Sequence, residues 1–299
     1  MKSVNSLSGG KTSSYIAVNH PADYNVFAVV CLEDNSCKPK DKSIIDYANK
    51  KLSRYSDIYG EFIATAEDDA TLKVMMDLEQ ILGKEITWVR GKSFDQVVHG
   101  RQTRLPSWAR RYCTTYMKMD PIFEWWLLNI GEKVEMRIGF RFDEFKRMER
   151  FVNNNPNKMK FPIACNLYGE KQQKHQEYDW RYVSFPLIQN GITKEMVNDY
   201  WIKNGYFGGD LFEERKQIKF PSISNCVGCF YKKPDTLCIM AQMHPEKMQW
   251  FADQEKLNKG TWLDSKISYQ ELIDHSKNSF TEDMLREQGA SCDSGGCTD

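Results

Sequence analysis

The run Val4-Asn5-Ser6-Leu7-Ser8-Gly9-Gly10-Lys11-Thr12-Ser13-Ser14-Tyr15-Ile16-Ala17-Val18 constrains the fold of this 299-residue chain more than any other segment. A strand-like start breaks into two glycines, a lysine and three hydroxyl residues, then becomes a helical apolar pattern. Strand, glycine loop and helix start in that order build an anion site, because free N–H groups and the positive end of the helix dipole converge there. Gly9 and Gly10 are expected to give the backbone close approach and φ > 0. Lys11 supplies a compact charge, and Ser8, Thr12 and Ser13 supply hydroxyl groups. A Gly-x-x-x-x-Gly-Lys-Thr loop is excluded by spacing, since Asn5 stands where its first glycine belongs. The segment reads as a phosphate cradle, with a ligand-free glycine turn as the plain alternative.

Strand and helix patterns alternate after this loop. Val26–Val30 reads as a buried strand, and Pro39 opens a helix through about Arg54 with Ile44, Ile45 and Ala48 on one face. Residues 61–64 read as a short strand. Asp68 to Leu82 reads as a helix capped by Asp68 or Asp69, striped by Leu72, Met75, Met76 and Leu78, and stopped by Gly83. Ile86–Val89 and Val134–Ile138 are further strands. This alternation predicts an α/β fold, a doubly wound, Rossmann-like parallel sheet with helices on both faces. Ligands of such sheets bind at the carboxyl ends of the strands, where Ser8–Ser13 lies. Residues 152–178 look irregular and polar, and the pattern resumes at Val183–Leu187 with a helix near Lys194–Lys203. The expected division is a nucleotide-binding α/β domain over 1–221, a cysteine-bearing helical appendage over 222–290 and a flexible tail over 291–299. Two helices are expected in the appendage, around Thr236–Met243 and Glu246–Leu257.

Lys+Arg and Asp+Glu both number 41, so no basic excess signals nucleic acid, although a local basic groove stays open. No apolar run reaches membrane-spanning length, and residues 1–20 hold the glycine loop rather than a signal segment. A cytoplasmic protein with no membrane partner is the expectation. Nine cysteines in that compartment point to metal or redox use for the clustered ones. Cys31 and Cys165 read as ordinary buried thiols, and the tryptophans, including Trp125, Trp126 and Trp201, as core more often than as partner surfaces.

Four later motifs carry chemistry. Arg104 to Pro121 gathers three arginines and a lysine around Cys113, suited to a second anion or to a thiolate. Arg137-Ile138-Gly139-Phe140-Arg141-Phe142-Asp143-Glu144-Phe145-Lys146-Arg147 follows a strand: Gly139 allows a close turn, and Arg141 and Arg147 can reach phosphate. Asp143 and Glu144 can orient those arginines or hold magnesium. Asn225-Cys226-Val227-Gly228-Cys229 is a metal or redox pair. Cys292 and Cys297 sit in a small polar tail, where a sulfur-shuttling pair and a segment without a role are both open.

The Ser8-Gly9-Gly10-Lys11-Thr12-Ser13 loop resembles the SGGKxS signature of the PP-loop ATP pyrophosphatases. Arg111, Cys113, Thr114, Lys118 and Pro121 match an R-x-C-T-x-x-x-K-x-x-P pattern of the phosphoadenosine phosphosulfate reductase branch, and Gly139 with Arg141 resembles its G-x-R element. With Cys226 and Cys229 the resemblance spans roughly residues 3 to 250. It implies that Ser8, Gly9, Gly10, Lys11, Thr12, Ser13, Arg111, Lys118 and Gly139 bind ATP with Mg2+. Lys11, Arg141 and Arg147 would act catalytically on phosphate charge. It also implies a [4Fe–4S] cluster on Cys113, Cys226 and Cys229, with Cys238 as a fourth ligand; zinc on the same residues and plain thiols remain alternatives.

The implied activity is ATP-dependent adenylyl transfer that activates an acceptor for sulfur transfer, with a sulfur donor as partner. A sulfonucleotide reductase served by a thioredoxin-type reductant is the alternative, though the Glu-Cys-Gly tail of that branch is missing. A nucleotide-sensing subunit of a DNA-modification or defence complex is a second alternative. A nucleic-acid acceptor and a homo-oligomer are left open.

Overall fold

The computed structural model describes residues 1–100, 105–163, 174–207, 216–223, 226–263 and 265–279. Five strands form the central sheet: β1 (Ser3–Leu7), β2 (Tyr24–Ala28), β3 (Ile86–Val89), β4 (Val134–Arg137) and β5 (Arg181–Ser184). Their order is β3-β2-β1-β4-β5 and every pairing is parallel, with registers such as Leu7↔Phe27, Asn5↔Arg137 and Ala28↔Val89. The expected doubly wound, Rossmann-like α/β sheet is therefore present. The chain winds outward from β1 in one direction and from β4 in the other, which opens a crevice at the carboxyl ends of this pair.

Alternation along the strands sorts side chains to two faces. Phe27 joins Leu72, Met75, Leu78 and Trp88 on one side, whereas Val26 and Ala28 join Phe123, Trp126, Met136 and Trp180 on the other. Buried Asn5 is tolerated inside β1 because its Nδ2 donates to Asn25 Oδ1 at 3.0 Å and to His20 O at 3.1 Å. A third cluster combines Val30, Phe94 and Val97 with Leu237, Met240, Trp250, Phe251 and Trp262. The helical region beyond residue 222 thus shares a core with segments that follow β2 and β3.

Most local expectations are met with small shifts. The Asp69–Leu82 helix is capped by Asp68, which accepts from Ala70 N at 2.9 Å, and Gly83 ends it at φ 55°. The second helix runs Lys42–Leu52 rather than from Pro39, because Asp41 caps it by accepting from Ser43 N at 2.9 Å. The strand expected over 61–64 shrinks to Ala64–Thr65. The expected helices near Lys194, Thr236 and Glu246 occupy Lys194–Asn204, Pro234–Met243 and Pro245–Asn258.

Two elements depart from the sequence reading. Part of the polar stretch 152–178 is an antiparallel pair, Lys158–Ile163 with Lys174–Asp179. Met159, Phe161 and Tyr178 pack against the Phe123 cluster while Lys158, Lys160 and Glu177 face outward. A further helix, Tyr269–Ser279, buries Tyr269, Leu272, Ile273 and Ser276 at helical spacing. Cys31, Trp125, Trp126 and Trp201 are buried as expected. Arg104, Cys165, Asn225, Cys292 and Cys297 lie outside the described residues. Among the described residues no helix is long and apolar enough to cross a membrane.

Candidate functional site

Three residues separate β1 from the helix Lys11–Asn19, and the two glycines among them do different work. Gly9 has φ +75°, and a Cβ there would overlap the Thr71 Cγ2 methyl. Gly10 is extended at φ −91°, ψ 161°, and its nearest neighbour is Ser8 Oγ at 3.8 Å. The expectation that both glycines supply positive φ is corrected: the left-handed turn belongs to Gly9 alone, and Gly10 serves as a helix cap without a side chain. No side chain caps this helix, so its first N–H groups face the crevice.

The hydroxyl groups divide between bracing and open roles. Buried Ser13 Oγ donates to Gly10 O at 3.1 Å and accepts from Ser8 N at 3.1 Å, so it braces the loop. Thr12 Oγ1 accepts from Arg141 NH1 at 3.1 Å and keeps its own proton for a ligand. Lys11 Nζ donates to Asn198 Oδ1 at 3.0 Å, and Trp201 Nε1 donates to Lys11 O at 2.9 Å. Desolvation, then the charge of Lys194, holds the Lys11 ammonium below the usual lysine range. Two like charges placed together favour an anion between them.

Gly139 follows β4 beside this helix start. A Cβ there would stand 3.5 Å from Thr12 Cγ2 and 3.7 Å from Ser13 N. Arg141 is held by Asp143 at 3.3 Å and by Glu144 at 3.3 Å, and Arg147 pairs with Glu144 at 2.8 Å. The two carboxylates therefore orient the arginines. Arg141 touches the loop, whereas Arg147 lies over the Phe140 ring, 4.6 Å from its centroid, one step behind. Asp143 Oδ1 also accepts from Lys194 N at 3.0 Å, which ties this element to the Lys194–Asn204 helix.

The thiols form a second centre. Cys113, Cys226 and Cys229 line one cavity together with Arg111, Lys118, Phe94, Phe230 and Phe251. Cys226 forms an antiparallel bridge with Glu67, Val227 N donates to Ala66 O at 2.8 Å, and Cys229 N donates to Cys226 O at 3.1 Å. Gly228 is required because a Cβ would run into the Phe251 ring. Burial pushes the Cys113 thiol up to about 11, with Cys229 adding to the rise. Burial, then Glu67, raises Cys226 as well. Without a bound cation these thiols keep their protons.

Lys118 pairs with Glu67 at 2.9 Å, and Glu67 is 1% exposed. Arg111 and Lys118, expected at the nucleotide, thus line the thiol cavity. Cys238, expected as a fourth ligand, is absent from the cavity lining: its Sγ faces Leu272 O at 3.6 Å inside the helical core. The cause is its position on the inner face of the Pro234–Met243 helix. Among the described residues no three His, Cys, Asp or Glu side chains converge closely enough to hold one metal ion.

The loop and the cavity flank one short segment. Thr71 lies against Gly9 and Glu67 pairs with Cys226, four positions apart at the start of the Asp69–Leu82 helix. Lys247 pins that segment, donating to Glu67 O at 2.6 Å and to Asp69 Oδ1 at 2.7 Å. Glu67, Lys194, Asn198 and Lys247 escape sequence reasoning, since each is a single polar residue with no motif around it. Comparison of the chain with models of protein families, with curated proteins and with solved structures finds no match.

Proposed function

We propose that this chain is an ATP-dependent adenylyl-transfer enzyme of the PP-loop type, which activates an oxygen of its acceptor for replacement by sulfur. The observation that carries the reading is the helix start without a side-chain cap, with Lys11 at its first position and Arg141 bound to Thr12 of the same loop. Loop N–H groups and Lys11 would hold the β- and γ-phosphates and stabilise charge growing on the leaving pyrophosphate. Arg141 approaches from the β4 side, where the α-phosphate and acceptor would meet.

The acceptor oxygen attacks the α-phosphorus, the bond to the pyrophosphate oxygen breaks, and pyrophosphate leaves. Sulfur from a donor then displaces AMP, which departs with the acceptor's oxygen. Mg2+ would supply further neutralisation of phosphate charge.

The thiol cavity supports the sulfur half of the reading. Three cysteines beside two cationic side chains suit an anionic iron–sulfur cluster held by Cys113, Cys226 and Cys229. Zinc on the same three thiols is the alternative occupant, since thiolates suit both metals. Held by three cysteines, the iron–sulfur cluster would leave one iron open, where sulfide could be carried. A reducing compartment such as the cytoplasm keeps these thiols free of disulfides.

Calorimetry with ATP tests the nucleotide half. Lys11→Ala is expected to abolish ATP binding and leave iron content unchanged; unchanged ATP affinity would defeat the assignment. Iron and sulfide analysis of protein purified without oxygen tests the other half. Release of sulfite from a sulfonucleotide, with no pyrophosphate from ATP, would identify a reductase instead.

A further inference from the structure

The two arginines beside the glycine loop are matched by carboxylates: Arg141 by Asp143 and Glu144 at 3.3 Å each, and Arg147 by Glu144 at 2.8 Å. The lysines there are not. Lys11 Nζ donates to a neutral amide, Asn198 Oδ1, at 3.0 Å, and the partly buried Lys194 ammonium forms no ion pair among the described residues. One helix brings the two lysines together. Lys194 and Asn198 are the first and fifth residues of the Lys194–Asn204 helix, one turn apart on a single face. The Lys194 N–H donates to Asp143 Oδ1 at 3.0 Å, and Asp143 holds Arg141, whose NH1 donates to Thr12 Oγ1 at 3.1 Å. That face is therefore fastened to the loop twice, through Arg141 to Thr12 and through Asn198 to Lys11. Lys194 leaves it between the two anchors. Its charge is felt at Lys11, where it adds to desolvation in holding that ammonium below the usual lysine range.

Two ammonium groups without a counter-charge, beside a helix start that no side chain caps, match a doubly charged anion. In a nucleotide that group is the terminal phosphate, which carries a second ionisable proton that the internal phosphates lack. We propose that Lys194 binds the terminal phosphate of a nucleoside triphosphate together with Lys11, and so selects triphosphates over diphosphates. The inference rests on the reading of the loop as an ATP site. A diphosphate seated with its α-phosphate in the same place ends short of Lys194 and leaves that charge unmatched.

Calorimetry with ATP and with ADP, each with Mg2+, on the full-length protein reads the proposal as a ratio of affinities. Wild type is expected to prefer ATP. Lys194→Met should weaken ATP binding by about 10- to 100-fold and leave ADP binding unchanged. Methionine keeps the unbranched stem and the backbone N–H that donates to Asp143, and constant ADP affinity reports an intact fold. Lys194→Arg, which keeps the charge, restores most of the preference. Lys11→Ala, by contrast, loses both nucleotides. Equal affinity of wild type for ATP and ADP overturns the inference, as does a Lys194→Met protein that weakens both nucleotides alike or neither. In that case ATP binding that still depends on Lys11 leaves the ATP reading standing. A wild type that binds neither nucleotide defeats that reading, and the inference falls with it. A preference that depends on Lys194 in a protein that releases phosphate rather than pyrophosphate from ATP would defeat adenylyl transfer and leave the terminal-phosphate assignment in place.

Discussion

Replacing Gly9 and Gly10 one at a time separates two residues that look interchangeable in a Gly-Gly pair. Gly9→Ala forces a side chain to φ +75° and drives its Cβ into the Thr71 methyl. The left-handed backbone costs about 1–2 kcal/mol for a non-glycine residue, and the overlap about 1–3 kcal/mol. The smaller entropy of an unfolded alanine returns about 0.4–1 kcal/mol. The sum is a destabilisation of about 1–5 kcal/mol. Gly10→Ala meets neither cost, since Gly10 is extended and its nearest neighbour is 3.8 Å away. Because Gly10 is the helix N-cap, where alanine is poorer than glycine, the substitution is expected to cost no more than about 1 kcal/mol, less what the unfolded chain returns.

Equilibrium urea unfolding, followed by circular dichroism and compared by midpoint, reads the difference. Thr71→Ser in the Gly9→Ala background removes Cγ2 and leaves Thr71 O at 3.3 Å from the new Cβ. That double variant should recover the overlap share and retain the backbone share, about 1–2 kcal/mol. Equal midpoints for Gly9→Ala and Gly10→Ala, or no recovery in the double variant, would refute the reasoning.

Three further outcomes follow from buried groups. Lys118→Met strands the Glu67 carboxylate, which is 1% exposed, and should cost about 3–5 kcal/mol. Adding Glu67→Gln should return most of it in the same urea assay. Cys226→Ala should remove most iron from anaerobically purified protein, whereas Cys238→Ala should leave iron unchanged, because its thiol faces Leu272 O; equal losses would contradict the placement. Burial, with Glu124 adding to it, raises the Asp120 carboxyl to about 7 from 3.8. The folded chain then holds this proton more tightly than the unfolded chain, so stability is greatest below about pH 4 and declines as pH rises towards 7. Asp120→Asn should remove that decline, raising the urea midpoint at pH 8 relative to wild type and matching it near pH 4.

The chain sequence alone determines what a few neighbouring residues can settle. Alternation along Val26-Phe27-Ala28 places side chains on two faces, Asp68 and Gly83 bound a helix, and Leu7 to Lys11 make a strand-to-helix turn with free N–H groups. Sterics and hydrogen bonds within one or two turns decide these, so they are legible before any tertiary contact exists. Tertiary structure alone decides which residues meet. It gives the left-handed turn to Gly9 rather than Gly10, and lays Met159 and Tyr178 of a polar stretch on the Phe123 cluster. It also brings Cys113 to Cys226 and Cys229 while turning Cys238, nine positions beyond Cys229, into the helical core. Separation along the chain says nothing about these choices. They follow from apolar faces closing over a shared core, which fixes where every polar and thiol group is left to point.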